Sequence, residues 1–390
     1  MTESPRSKFA SRKMDLFAES AIRNMSLLAE RIGAVNLAQG SPDFSAPVSV
    51  KRAAVAAIRE NRNQYEKTVG SQELREAIAA RVRRFNGISA DANEEVTVTC
   101  GSTEAITAAM IALTDPGDNV IVPEPFYESY LPATILSGAR AIHFRLREPD
   151  FSLAEEDLKA AFSQRPKVIL LNTPNNPTGR VFSRKELSVV ADLCEDYDAV
   201  AITDEIYEHI VYDGNSHVSL ATIGDMHERT VTVSGLSKTF SITGWRIGYA
   251  VAEKSLSWAL RTVHDYLTVC APTPLQRAAV TALALPDSYY RDLAATYDKK
   301  RLFMLKALEG IGFSCFRPQG AYYILADFGA MSKLDDFAFA DQLARKAGVA
   351  VVPASSFYAN REDGRSKVRF TFTKKDATLK EAVRRMRKNL

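Results

Sequence analysis

Between residues 95 and 252 the chain repeats one pattern: a short apolar run, then a stretch with helical spacing. The runs are EVTVT (95–99), NVIV (119–122), RAIHFRL (140–146), KVILL (167–171), AVAIT (199–203), TVTVS (230–234) and GYAVA (248–252). Clear helical intervals lie at Thr103–Leu113 and Arg184–Tyr197. Strands this apolar, separated by helices, predict an α/β fold with a mainly parallel seven-stranded sheet covered by helices. After about residue 286 the texture changes. A long amphipathic helix over 287–309 leads to AYYILADF (321–328), GVAVVP (348–353) and KVRFTFT (367–373), which read as a smaller α+β unit. Residues 14–47 show no sheet of their own and are assigned to that unit. The expected organisation is a flexible N-terminal arm over 1–13, a small domain from 14–47 and 286–390, and a large domain over 48–285.

Composition narrows the function. A net charge of +3 over 390 residues gives no support to nucleic-acid binding, and VRRMRKNL (383–390) is the most basic stretch. Cys100, Cys194, Cys270 and Cys315 stand far apart, without metal-ligand or redox spacing. A reducing, cytoplasmic setting is expected, with no metal and no disulfide framework. The N-terminus MTESPRSKFASRK lacks the apolar core of a signal peptide, and no apolar stretch is long enough to cross a membrane.

In open α/β sheets, ligands gather beyond the carboxyl ends of the strands. Each distinctive motif here follows a predicted strand. CGSTEAI (100–106) offers Gly101 for a tight turn and Ser102 and Thr103 at a helix N-terminus. These are either plain caps or a phosphate site. NTPNNPTG (172–179) forces an irregular loop that can present an amide to a ligand. In TDEIY (203–207), Asp204 either caps the next helix or faces a cation that keeps its desolvated carboxylate ionised. In SGLSKTFSITGWRIGY (234–249), Lys238 stands eight residues before Arg246. A fixed arginine disfavours the ammonium form and can clamp a phosphate. A neutral lysine amine forms a Schiff base with a carbonyl. Amine, carboxylate, phosphate loop and arginine are together the parts that pyridoxal 5′-phosphate requires.

NNPTG, TDEIY and SKTFSITGWRIGY, in this order and spacing, resemble the class I/II aminotransferases of the fold-type-I pyridoxal-phosphate superfamily. The likeness is nearest to the branch holding kynurenine, glutamine and methionine aminotransferases and cysteine-conjugate β-lyases. It extends from NLAQGSPDF (36–44) to VRFTF (368–372). The resemblance implies an enzyme of amino-acid metabolism that moves an amino group from an L-amino acid to a 2-oxo acid by ping-pong half-reactions. Lys238 would hold the cofactor as an internal aldimine and then act as general acid/base. Asp204 would pair with the ring nitrogen, and Asn176 and Tyr207 with the phenolic oxygen. Tyr127 would stack on the ring. Gly101, Ser102, Thr103, Ser237 and Arg246 would hold the phosphate, joined by Tyr65 of a neighbouring subunit in a homodimer with shared sites. Arg369, helped by Asn172 and the Gly40 backbone, would bind the substrate carboxylate. The same motifs also serve a β/γ-lyase or an amino-acid cyclase.

The chain departs from the family pattern in two places. Gly235 stands where many relatives carry a phosphate-binding serine, so that either one phosphate hydroxyl is missing or Ser234 replaces it. Ile22, Val269 and Cys270 stand where kynurenine-handling relatives place aromatic or imidazole groups, which predicts a more aliphatic side-chain pocket.

Overall fold

The structure is a computed structural model that describes residues 9–390. Most of the arm expected over 1–13 therefore lies outside the described residues. Its end is not all loose chain, since Arg12–Leu16 form a short 3-10 helix. Residues 14–47, expected to lack a sheet, contribute the two-residue strand β1 (Val35–Asn36).

The repeating region builds β2 (Val96–Thr99), β3 (Asn119–Glu124), β4 (Arg140–Arg145), β5 (Val168–Asn172), β6 (Val200–Asp204), β7 (Thr230–Gly235) and β8 (Gly248–Val251). They form one sheet in the order β2-β8-β7-β6-β5-β3-β4. Only β8 runs against its neighbours; the other contacts, from β7 through β4, are parallel. The central strands are almost wholly buried because helices cover both faces. Every residue of β2, β5, β7 and β8 is buried.

The last hundred residues add β9 (Ser314–Cys315), β10 (Tyr323–Asp327), β11 (Val349–Ala350), β12 (Val352–Pro353) and β13 (Lys367–Thr371). Four of these make a second, antiparallel sheet in the order β12-β13-β10-β9, while β11 pairs with β1 in parallel. The N-terminal segment is thus tied to the C-terminal unit by backbone pairing. One apolar core runs from Ile169 and Leu171 on the large sheet to Ile324 and Phe370 on the small one.

This topology sets where chemistry can occur. Asn172 and Asp204 end adjacent parallel strands and lie in register with each other. β7 ends at Gly235, three residues before Lys238, and β2 ends at Thr99, just before the Gly101 turn. Gly101 has φ +84° and precedes the helix Ser102–Leu113. β8 packs against that turn so closely that a Cβ on Gly248 would lie 2.5 Å from the Ser102 nitrogen. Glycine at both positions lets the backbone reach the point where a ligand would sit.

Candidate active site

A cavity of about 370 Å³ opens over these strand ends. It is lined by Gly40, Ser102, Thr103, Tyr127, Asn172, Asn176, Asp204, Tyr207, Ser237, Lys238, Arg246 and Arg369. Residues expected from motifs more than three hundred positions apart therefore share one wall.

Arg369 enters from β13 and is fully buried. Its Nη1 donates to Asn176 Oδ1 at 2.8 Å and its Nη2 to the Ala38 carbonyl at 2.6 Å. The rings of Tyr323 and Phe357 lie 4.2 and 5.1 Å from its central carbon. Nε has no hydrogen-bond partner, and no carboxylate pairs with this side chain among the described residues. A buried guanidinium with only neutral acceptors is costly and favours an anion beside it.

Asp204 lies at the other end of the same network. Asn176 N–H donates to Asn172 Oδ1 at 2.7 Å, and Asn172 Nδ2 donates to the Asp204 carbonyl at 2.8 Å. The Asp204 carboxylate accepts from Tyr130 Oη at 2.8 Å and from the Ile206 N–H at 3.2 Å. Burial raises its pKa to about 6, against the opposing pull of these donors and of Lys238. A cation placed against it would restore full ionisation.

Lys238 stands between the two. Burial lowers its pKa to about 8, with Arg246 and Arg369 adding to the effect and Asp204 opposing it. Its amine is therefore still mostly protonated near neutral pH, but its neutral fraction far exceeds that of an ordinary lysine, which makes it more available as nucleophile and base.

The Gly101 turn completes the opposite wall. A Cβ on Gly101 would lie 2.3 Å from Arg246 Nη2. Arg246 is anchored by the carbonyls of Thr243 (3.1 Å) and Cys100 (3.4 Å) and has no acidic partner among the described residues. The first-turn N–H groups of Ser102 and Thr103 have no acceptor among the described residues, which makes this a cup for an anion. Ser237 is buried at its edge.

Of the two alternatives at Gly235, the geometry favours the missing hydroxyl. Ser234 does not replace the missing serine: its hydroxyl donates to Glu208 Oε1 at 2.8 Å, away from the cup. A Cβ on Gly235 would also crowd Ser102 Oγ at 3.1 Å and Gly248 Cα at 3.0 Å. Ile22 does line the cavity, but Val269 and Cys270 do not. Val269 is exposed on the end of the helix Lys254–Thr268. Tyr65 also lies away from the cavity, with 83% of its surface exposed.

Three tyrosines were not singled out by sequence. Tyr130, three residues after Tyr127 in PEPFYESY, supports Asp204. Tyr323 meets the Tyr207 hydroxyl at 3.0 Å and covers the Arg369 guanidinium. Tyr322 donates to the Gly40 carbonyl at 2.9 Å. Burial pushes the Tyr207 phenol well up, so it remains a neutral donor.

Comparison with known proteins gives one answer. Residues 32–386 match the family described as aminotransferase class I and II. The probable N-succinyldiaminopimelate aminotransferase of Mycobacterium tuberculosis is 39% identical over 381 residues, covering 95% of this chain and 96% of that protein. The methionine aminotransferase of Escherichia coli K12 is 36% identical, covering 96% and 97%. The solved N-succinyldiaminopimelate aminotransferase structure from M. tuberculosis superposes with a TM-score of 0.95 at 38% identity, over 98% of this chain and 100% of that one. Aspartate aminotransferase of Thermus thermophilus superposes at 0.91 with 34% identity, over 98% and 100%.

The Tyr130 contact yields a test. Its hydroxyl stabilises the charged carboxylate, so Tyr130→Phe should raise the Asp204 pKa above its value of about 6. In cofactor-free protein the Asp204 carboxyl titration, followed by ¹³C NMR, should then move to higher pH. An unmoved titration would show that Tyr130 does not tune Asp204.

Proposed function

The chain belongs to the aminotransferase class I and II family, and on that footing we propose how its own residues carry the reaction. It is a pyridoxal-phosphate-dependent aminotransferase of fold type I, moving an amino group from an amino acid to a 2-oxo acid. The donor set fits the cofactor: an anion cup with no room for a Cβ, an amine whose pKa is lowered to about 8, and a buried carboxylate short of a cation. When bound, pyridoxal phosphate supplies an aldehyde that condenses with amines and a ring that takes up the electron pair left when the substrate Cα–H bond breaks.

Lys238 Nζ would hold the cofactor and, once displaced by substrate, take the Cα proton as general base. Asp204 would accept from the protonated ring nitrogen. Asn176 and Tyr207 would donate to the phenolic oxygen, and Tyr127 would pack on the ring face. Gly101, Ser102, Thr103, Ser237 and Arg246 would enclose the phosphate. The observation that carries the reading is Arg369, a buried guanidinium without a carboxylate, which suits a shared feature of every amino acid substrate: its α-carboxylate. Asn172 and the Gly40 backbone would flank it.

We assign residues 48–285 to a cofactor-binding domain and residues 14–47 with 286–390 to a smaller one. Arg369 then belongs to one and Lys238 to the other, so a substrate held by both would draw them together and exclude water. The exposed position of Tyr65 suits a homodimer in which it reaches the partner's phosphate. A cytoplasmic, biosynthetic role in amino-acid metabolism fits the composition. None of the described helices is long and apolar enough to cross a membrane.

Arg369→Ala should raise KM for every amino acid, whatever its side chain, with a loss of about tenfold to a few hundredfold in kcat/KM. The cofactor absorbance without substrate should stay unchanged. A loss confined to some side chains would contradict the carboxylate role. Tyr65 is tested by mixing inactive Lys238→Ala chains with Tyr65→Phe chains. A mixed dimer would hold one site with both changes and one with neither, so activity should exceed that of either parent. Mixed dimers that form without such a gain would overturn the shared site.

A further inference from the structure

Glu104 poses an electrostatic problem. It sits one turn into the helix whose N-terminus forms the anion cup, and its Oε2 accepts the Cys100 N–H at 3.1 Å. A carboxylate there would repel a phosphate. The structure supplies a counter-charge in His264, fully buried on the helix Lys254–Thr268. Its Nδ1 lies 3.0 Å from Glu104 Oε1, and its Nε2 lies 3.0 Å from the Thr68 carbonyl. Neither an ionised carboxylate nor a carbonyl can donate a hydrogen bond, so each ring nitrogen must carry a proton to bind both.

We propose that His264 is held as an imidazolium and is the positioning residue for the phosphate end of the cofactor site, a role that rests on the aminotransferase reading above. Through Nδ1 it neutralises Glu104 and thereby fixes the Cys100–Gly101 turn, whose Cys100 carbonyl in turn anchors Arg246. Through Nε2 it holds the loop at Thr68, three residues from Tyr65. One side chain therefore braces the cup of its own site and the loop directed at the partner's.

The groups facing His264 are few. Glu104 comes from the cup helix and the Thr68 carbonyl from the loop. Thr268, at 3.1 Å from Nδ1, and Asp265 come from its own helix. Burial alone would depress the imidazole pKa, but the Glu104 hydrogen bond and charge, the Thr68 carbonyl and Asp265 outweigh it and raise the pKa. The contribution of the imidazolium is thus complete at low pH and lost as pH rises through that raised value. The rival arrangement is a neutral ring in which Thr268 donates to Nδ1.

Selective ¹⁵N labelling of the five histidines in the holoenzyme decides between them, with His264→Gln identifying the signal. At pH 7.5 both His264 nitrogens should be protonated; a neutral tautomer there overturns the proposal. The second measurement is binding of pyridoxal phosphate and of pyridoxal, which lacks the phosphate, to cofactor-free protein. His264→Gln should weaken pyridoxal phosphate about tenfold and pyridoxal less than about twofold. Equal losses for both would reduce His264 to a structural role. Failure of the wild-type chain to bind either compound would instead strike at the aminotransferase reading, while the nitrogen signals still judge the imidazolium.

Discussion

A guanidinium buried without a counter-charge is the constraint on which the rest of the site depends. Arg369 is satisfied by an amide oxygen, a backbone carbonyl and two aromatic faces, none of which carries a full charge. These dipoles lower the desolvation cost without neutralising the ion. Among the described residues no anion pairs with it, so an anionic ligand would stabilise it. The groups around Arg369 come from distant parts of the chain: β10, the NNPTG loop and the segment after β1.

The network leaving Arg369 gives the site its length. Asn176 links it to Asn172, Asn172 to the Asp204 backbone, and Tyr130 to the Asp204 carboxylate. A substrate carboxylate at one end and a ring nitrogen at the other would be gauged by one connected set of hydrogen bonds. Lys238 lies within reach of three charges along it, and the two arginines outweigh the aspartate. Burial is the larger cause of the lowered lysine pKa, and the two arginines add to it.

Much of this was legible in the sequence. The seven strands of the large sheet fall within two residues of their predicted runs, because strands covered on both faces are rich in apolar and β-branched residues. Lys238, Asp204, Asn176 and Arg369 were legible because local motifs carry them. Tyr130, Tyr322 and Tyr323 were not, because their roles arise only when the second sheet folds over the first. AYYILADF reads as an ordinary strand until β10 pairs with β13 and lays Tyr323 across Arg369. The role of Ser234 stayed open for a related reason. Sequence shows a hydroxyl near the right place, but not the buried Glu208 that takes it. His264 gave no motif at all, since its two partners lie 160 and 196 positions away.

The central claim is that this site transfers an amino group and does not eliminate one. It is tested most directly by adding an amino acid alone to the holoenzyme, with no 2-oxo acid acceptor, and measuring both possible products. The account predicts release of about one equivalent of 2-oxo acid per chain, then arrest, with the amino group retained on the cofactor and no ammonia. Continuing release of 2-oxo acid together with ammonia, or accumulation of a cyclised product, would contradict it.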